Sequence, residues 1–237
     1  MDYTKFKTSA GVMAQGDTGL RSYMVSVFRN MSSALAVTAV VALLVSSSAA
    51  LMSAIFDTKL LWLVIFAPLG MSIYMGVNIT SMSVSTARFC LYIYSALMGL
   101  SLSSVFLYYT GESIVRVFAI TSVVFGAMSL YGSSTKRDLS SIASFLYMGV
   151  FGVIVASLVN LFLQNGSVEF VISVLCVIIF TVMTAYDVQR LKDMYVNFGD
   201  SGESDVAQKI AVYGALSLYM NFINIFISLL RLFGERK

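Results

Sequence analysis

The chain has 237 residues, of which 58% are hydrophobic and only 11% are charged, and its mean hydropathy is +0.86. Soluble domains average roughly 45–50% apolar and about 25% charged residues, so this composition excludes a soluble globular protein with a water-facing surface. The sequence therefore predicts an all-α membrane protein whose helices cross the bilayer several times.

Windows without Asp, Glu, Lys or Arg mark the predicted spans, because a helix needs about 20 apolar residues to cross the hydrocarbon core. They predict seven helices within a transmembrane domain over residues 30–232, near 31–56, 60–79, 88–109, 114–134, 141–163, 168–190 and 209–231. Residues 1–29 are predicted as a cytoplasmic tail and residues 233–237 as a C-terminal tail. The sixth window is the shortest, so its helix is expected to continue past Asp187 and to keep that carboxylate within the membrane.

Lysine and arginine set the expected orientation, since cytoplasmic loops carry an excess of both. With the N-terminus in the cytoplasm, ten of the 15 basic residues fall on that side and five on the other. This favours a cytoplasmic N-terminus, and seven crossings then place the C-terminus outside. Six crossings with a re-entrant segment would return the C-terminus to the cytoplasm, and the basic Arg236-Lys237 end leaves that alternative open.

The last predicted helix carries a polar stripe. Its members recur every three or four residues, which places them on one face of a helix: Gly214, Ser217, Asn221, Asn224, Ser228 and Arg231. The opposite face is apolar and is expected to contact lipid; it includes Leu218, Phe222, Ile225 and Leu229. The stripe is expected to turn inward, either as a hydrogen-bonded seam between helices or as the lining of a water-filled path.

Asp187 follows the apolar run of the sixth helix, residues 170–180. An aspartate at the bilayer centre costs about 2.5–3.5 kcal/mol on insertion scales, so a carboxylate in this place indicates a functional site that faces the bundle interior. The alternative is a cytoplasmic helix end anchored by its charges, since Arg190 and Lys192 follow closely.

Small residues spaced four apart predict close packing of helices, because they let two backbones approach. Ser95, Gly99 and Ser103 form such a series in the third helix, and Gly152 and Ala156 form one in the fifth. Packing within one bundle is the favoured interpretation over a dimer interface.

No catalytic arrangement is predicted, and we expect no enzymatic activity. The segment 199–202, Gly-Asp-Ser-Gly, echoes the nucleophile motif of serine proteases, yet the chain has no histidine and cannot form a Ser-His-Asp triad. The segment is interpreted as part of a flexible cytoplasmic linker between the last two helices. Phosphate loops and Cys/His metal motifs are also missing from the sequence, so no cofactor is expected.

Motifs in the last two helices resemble the signature of the Bax-inhibitor-like, or transmembrane BAX inhibitor motif, family. They are Thr184-Ala185-Tyr186-Asp187, the segment 214–226, and Leu229-Leu230-Arg231. Ala87-Arg88-Phe89 and the segment 95–104 are similar to the third helix of bacterial members. The resemblance covers roughly residues 19–234 and identifies the chain as a bacterial-type member, which implies a bacterial inner membrane.

The resemblance implies a seven-helix bundle that acts as a pH-sensitive calcium leak, with calcium as the transported ion. In that family an aspartate on helix six and another on helix seven share a proton near the cytoplasmic side, and an arginine at the start of helix three latches them. Asp187 matches the first aspartate, and Arg88 corresponds to the arginine. Asn221 stands where the second aspartate is expected, and the acidic residues that some members carry in helices two and four are missing.

The replacement at Asn221 predicts a changed response to pH. Two adjacent carboxylates do not both ionise readily and titrate as a unit, whereas an asparagine resembles a permanently protonated aspartate and can donate to Asp187. We therefore expect the pore architecture to be kept and the pH response to be weakened or shifted. Asp187 is the strongest candidate metal ligand, and calcium should bind weakly there because it takes about six to eight oxygen ligands, usually including carboxylates.

Three classes of function are compatible with the sequence. A cation leak is favoured by Asp187, the polar stripe and the resemblance. The alternative is a membrane partner protein that modulates a membrane protease or a stress or death response, and such a protein would work without Asp187. An intramembrane hydrolase is the least favoured class, since the chain lacks an intramembrane aspartate pair and has no histidine to bind zinc. The expected partners are the lipid bilayer and other membrane proteins, with no nucleic acid.

Overall fold

The computed structural model describes the backbone of residues 3–198 and 204–237 and the side chains of residues 18–197 and 205–237. These residues form nine α-helices and one short 3-10 turn, Ser140–Ile142: α1 (Tyr3–Ser46), α2 (Ala49–Phe56), α3 (Leu60–Asn78), α4 (Val84–Leu102), α5 (Val105–Tyr108), α6 (Gly111–Ser134), α7 (Ala143–Leu163), α8 (Gly166–Phe198) and α9 (Ser204–Phe233). The segment 199–202, interpreted above as part of a linker, lies outside the described residues.

Among the described residues, seven helical segments are long and apolar enough to cross a membrane: Thr18–Ser46, Leu60–Asn78, Val84–Tyr108, Gly111–Ser134, Ser140–Leu163, Gly166–Asn197 and Asp205–Phe233. The prediction of an all-α membrane bundle with about seven spans is therefore confirmed. The segments differ in burial: 67% of the apolar stretch of Asp205–Phe233 is buried inside the bundle, against 6% of that of Ser140–Leu163.

Contacts between distant parts of the chain define the two ends of the bundle. At one end, Gly19 of α1 lies against the Tyr195 ring of α8. At the other end, Tyr109 forms an antiparallel β-bridge with Arg236. We call these ends the N-terminal side and the C-terminal side of the bundle. The C-terminus is thus tied to the residues that precede α6.

Hydroxyl side chains set several helix starts. Ser48, Ser83 and Thr110 each accept a hydrogen bond from the backbone amide three residues later and begin α2, α4 and α6, as N-cap residues do. The helix expected at 31–56 is therefore divided into α1 and α2. The charge-free windows did not locate these caps, because serine and threonine carry no charge.

Most of residues 1–29, predicted as a tail, belong to α1, which begins at Tyr3. The apolar part of this helix starts at Thr18. Arg21 and Arg29 lie before the charge-free window, within α1, and both line cavities. α8 and α9 likewise extend beyond the predicted bounds, to residues 166–198 and 204–233.

α9 lies at the centre of the bundle, packed against α1, α4, α6 and α8. Its apolar face is buried: Leu218 and Ile225 have no exposed surface and Phe222 is 3% exposed. The expectation that this face contacts lipid is therefore wrong. A helix packed on other helices and a helix facing acyl chains use the same apolar residues, so the sequence pattern could not separate the two.

Glycine allows close contact between α1 and α4. A Cβ added at Gly99 would lie 2.8 Å from the carbonyl oxygen of Thr38, so the close packing predicted at Gly99 is present. Gly152 on α7 differs, because a Cβ added there has no described atom within 4 Å. Gly152 therefore faces outward instead of forming a helix contact.

Candidate functional site

Asp187 of α8 is buried inside the bundle, with 2% of its surface exposed. Its Oδ2 accepts hydrogen bonds from the Ser217 hydroxyl at 2.8 Å and from Asn221 Nδ2 at 2.7 Å. Ser217 and Asn221 lie one helical turn apart on α9, so both side chains reach the same oxygen. We call Asp187, Ser217 and Asn221 the carboxylate–amide site. Both donors stabilise negative charge on the shared oxygen.

The cations near Asp187 on α8 make their hydrogen bonds to other groups. Among the described residues, neither of the two ion pairs includes Asp187. Arg190, further along α8, donates to the Tyr147 hydroxyl of α7 at 3.3 Å, and Lys192 donates to the Ser133 carbonyl of α6. α8 continues to residue 198, so Asp187 is a buried residue within the helix and not its charged end. A buried carboxylate without a paired cation opposes folding, which points to a functional reason for it.

Small residues bring α6, α8 and α9 together around the site. Gly132 of α6 lies against the α8 backbone, and a Cβ added there would be 2.8 Å from the Ala185 Cα. Gly214 of α9 accommodates Leu191, whose Cδ1 would be 2.9 Å from an added Cβ. These two contacts fix the helix spacing next to the carboxylate. The hydrogen bonds of Asp187 are therefore set by backbone approach and not by side-chain reach alone.

The loop between α6 and α7 is fastened to α8 close to the site. Gln189 Nε2 donates to the Arg137 carbonyl at 2.8 Å, and the Leu139 amide donates to Gln189 Oε1 at 2.8 Å. Within the loop, Ser140 hydrogen-bonds the carboxylate of Asp138 and holds the pKa of that carboxyl below its usual range. Sequence reasoning missed Gln189; its place two residues after the buried aspartate was the available signal.

Arg88 stands apart from the carboxylate–amide site. Its Nη2 donates to Gln208 Oε1 of α9 at 3.2 Å. With a rise of about 1.5 Å per residue, Gln208 lies about 13 Å along α9 from Ser217. The structure therefore brings Asp187 and Asn221 together and places Arg88 at another level of the bundle.

The rest of the polar stripe follows α8 towards the C-terminal side. The Ser228 side chain lies beside the Cys176 thiol, and Arg231 Nε lies 4.0 Å from Glu169 Oε1. Asn224 instead donates to the carbonyl one turn earlier on its own helix, at 2.8 Å. The contacts of Ser217, Ser228 and Arg231 make the stripe a polar seam between α8 and α9 in this structure.

Both partners of the central hydrogen bond are sealed from solvent, since Asn221 is 3% exposed and Asp187 is 2% exposed. Beside Asn221, the Phe222 ring packs edge to face against Phe118 and Phe125 of α6, with ring centroids 5.3 and 5.5 Å apart. Apolar packing therefore surrounds the site, and the hydrogen-bonded carboxylate is shielded from solvent.

A second buried network joins α1, α4 and α9. The Thr38 hydroxyl lies 2.6 Å from the Tyr219 hydroxyl and donates to the Ser95 carbonyl at 2.9 Å. Tyr219 has no exposed surface, and its ring stands edge-on to Tyr94 with centroids 5.4 Å apart. Sequence reasoning missed this network, because the partner of Tyr219 lies on the first helix and only the fold reveals it.

The site supplies few ligands for a metal ion. Within the described part of the chain, no three His, Cys, Asp or Glu side chains lie together in a group that could hold a metal. Ser217 and Asn221 add only a hydroxyl and an amide oxygen, against about six to eight oxygens around calcium. The chemistry that this arrangement can perform is to bind a proton or to attract a passing cation.

Fold and site together define a class: a polytopic membrane protein with seven candidate spans whose core buries a carboxylate against an amide and a hydroxyl. The chain belongs to the Bax inhibitor-1 family, because the family model described as "inhibitor of apoptosis-promoting Bax1" matches residues 20–237. The resemblance carried by the motifs of α8 and α9 is thereby confirmed.

Bacterial relatives match this chain over nearly its whole length. An uncharacterized protein of Rickettsia prowazekii (strain Madrid E) is 42% identical over 237 residues, which covers 100% of this chain and 99% of the relative. Inner membrane protein YbhL of Escherichia coli (strain K12) is 40% identical over 226 residues, which covers 95% and 96%. An uncharacterized protein of Caulobacter vibrioides is 41% identical over 231 residues, which covers 93% and 91%.

Proposed function

We propose that this protein forms a passive cation leak, with calcium as the transported ion, in a bacterial inner membrane. The observation that carries the proposal is Asp187, a carboxylate with 2% exposure that two donors of α9 hold inside a membrane bundle. Family membership and the similarity to an E. coli inner membrane protein support it. The excess of basic residues on the N-terminal side supports a cytoplasmic location for that side.

In this proposal, the hydrogen bonds of Asp187 hold the closed state. Opening requires α9 to move relative to α8, so that Ser217 and Asn221 release the carboxylate. The freed Asp187 then attracts a cation into the seam between the two helices. With a single carboxylate the cation is held weakly, which suits passage more than storage. Passive transport of this kind requires no catalytic residue.

Asn221 determines how this gate responds to protons. A second carboxylate at this position would share a proton with Asp187, and loss of that proton would drive α8 and α9 apart by like-charge repulsion. The Asn221 amide stays neutral and continues to donate to Asp187. The leak should therefore depend on pH less than a gate built on two carboxylates.

Calcium flux into proteoliposomes tests the leak. Native protein should admit calcium faster than empty vesicles, and Asp187→Ala should reduce the flux to the level of empty vesicles. Asp138→Asn is the matched control, since it removes an acid from the exposed loop between α6 and α7 and should leave the flux unchanged. Size-exclusion chromatography confirms that each variant is folded. A native flux no greater than that of empty vesicles would remove the leak from consideration.

A second candidate function, a membrane partner protein that modulates a membrane protease or a stress or death response, is favoured by α7. Among its residues only Leu146 and Val153 are buried, whereas Phe145 and Phe162 are 74% and 86% exposed. Such a helix offers its apolar surface to lipid or to another membrane protein. Co-purification of a membrane protease that survives Asp187→Ala, together with an absence of flux, would favour this function over the leak.

A further inference from the structure

A polar cavity opens on the N-terminal side of the bundle, between α1, α4, α8 and α9. Its volume is about 640 Å³, and its lining includes Arg29 of α1, Arg88 of α4, Tyr195 of α8 and Gln208 of α9. We call this cavity the basic vestibule, because both charged residues in its described lining are arginines. None of its lining residues belongs to the carboxylate–amide site.

Two buried donors in the basic vestibule have no partner among the described residues. Tyr23 is 6% exposed, and its hydroxyl makes no hydrogen bond. Arg88 uses Nη2 to reach Gln208, while its Nε is buried and unpaired. Buried polar groups of folded proteins nearly always have partners, and an arginine Nε can only donate. A hydrogen-bond acceptor that enters the cavity would supply the missing partner.

The charge of the cavity defines that acceptor further. Arg29 and Arg88 come from different helices, and no Asp or Glu is among the described residues that line the cavity. An anion would neutralise both arginines and accept from Tyr23 and from Arg88 Nε. Guanidinium groups match the geometry of phosphate oxygens, and basic pockets between transmembrane helices bind phospholipid head groups.

We propose that the basic vestibule binds a phosphate group, held by Arg29, Arg88 and the Tyr23 hydroxyl. The cavity is larger than inorganic phosphate alone, so it also admits a phosphate that carries an organic substituent. The phosphate has two possible sources, a soluble phosphate and the head group of an anionic phospholipid. In both cases the ligand joins α1 to α4 on the N-terminal side. This inference does not depend on the cation leak.

Binding by the full-length purified protein in neutral detergent tests the proposal. One arm titrates sodium phosphate against sodium chloride of equal ionic strength by isothermal calorimetry. The other arm compares retention of phosphatidylglycerol and phosphatidylcholine by native mass spectrometry. The variants are Tyr23→Phe and Arg29→Gln, with Arg21→Gln as the matched control, since Arg21 lies on the same helix and lines a different cavity.

The expected result is phosphate-class binding in at least one arm, weakened about 10-fold or more by Tyr23→Phe and by Arg29→Gln, as for loss of a hydrogen bond to a charged group. Arg21→Gln should bind as the native protein does. Binding of sodium phosphate identifies a soluble ligand; selective retention of phosphatidylglycerol alone identifies a lipid head group. Binding in neither arm, or binding that both variants leave unchanged, would overturn the proposal.

Tyr23→Phe keeps the experiment interpretable if Arg29→Gln misfolds. The change retains the ring that stacks on Tyr195, with centroids 4.8 Å apart, and removes only an unpaired buried hydroxyl. Without ligand its melting temperature should equal or exceed that of the native protein. A clear loss of melting temperature would show that the hydroxyl already has a partner in the protein, and the inference would fail.

Discussion

The hydrogen bond between Asn221 and Asp187 should couple α8 to α9 strongly. The bond joins Nδ2 and Oδ2 over 2.7 Å, and both side chains are nearly without exposed surface. Hydrogen bonds to charged groups contribute about 1.5–3 kcal/mol. Asn221→Ala leaves Asp187 with one donor fewer in a buried place, so we expect the free energy of unfolding to fall by at least about that amount.

A double-mutant cycle isolates this pairwise energy from the cavity that each substitution leaves. The cycle combines Asp187→Ala with Asn221→Ala, and unfolding in mixed micelles of increasing denaturing detergent is followed by circular dichroism. We expect a coupling energy of about 1.5–3 kcal/mol. For a chain of this size, Asn221→Ala alone should lower the melting temperature by about 3–12 °C, at about 2–4 °C per kcal/mol.

Asn224 provides the matched control for this cycle. It lies one turn from Asn221 on α9 and donates to a carbonyl of its own helix at 2.8 Å, so Asn224→Ala should add to Asp187→Ala within about 0.5 kcal/mol. A coupling of Asn221 to Asp187 below about 0.5 kcal/mol would refute the reasoning, since the observed hydrogen bond would then contribute almost nothing.

Two further predictions concern packing and the second buried network. Gly132→Ala forces a methyl group against the backbone at Ala185 and should lower the free energy of unfolding by about 1–3 kcal/mol. Gly152→Ala places its methyl group in open space and should be neutral or slightly stabilising. Equal effects of the two substitutions would contradict the contact between α6 and α8. Tyr219→Phe removes the hydroxyl that lies 2.6 Å from Thr38 and should cost about 0.5–1.5 kcal/mol; an unchanged melting temperature would show that this contact does not stabilise the bundle.

The number of spans followed from the sequence because lipid imposes a simple rule on length and charge. The sequence did not predict which helix lies at the centre of the bundle. One face of α9 was expected to contact lipid, yet Phe222 and Ile225 on that face are buried. Apolar residues are used both in contacts with lipid and in contacts between helices, so the pattern did not distinguish them. Arg29, the last residue of the predicted tail, lines a cavity in the structure, which the charge pattern did not indicate.

The site was predictable in part. Helical spacing placed Ser217 and Asn221 on one face, and the family resemblance pointed to Asp187 as their partner. The glycine at position 132, which lets α6 approach α8, gave no distinctive signal, because contact distances between distant segments depend on the fold. Arg88 shows the same limit: its partner in the structure is Gln208, which no local pattern indicated.

In the proposed leak, Asn221 stands where a second carboxylate would complete a proton-sensitive pair with Asp187. Calcium flux between about pH 6 and pH 8, where a coupled carboxylate pair can titrate, tests it in the native protein, Asn221→Asp and Asn224→Asp. We expect a weak pH dependence in the native protein and in Asn224→Asp, and a steep one in Asn221→Asp with the flux rising as the pair loses its proton. Identical pH profiles for all three proteins would contradict the account.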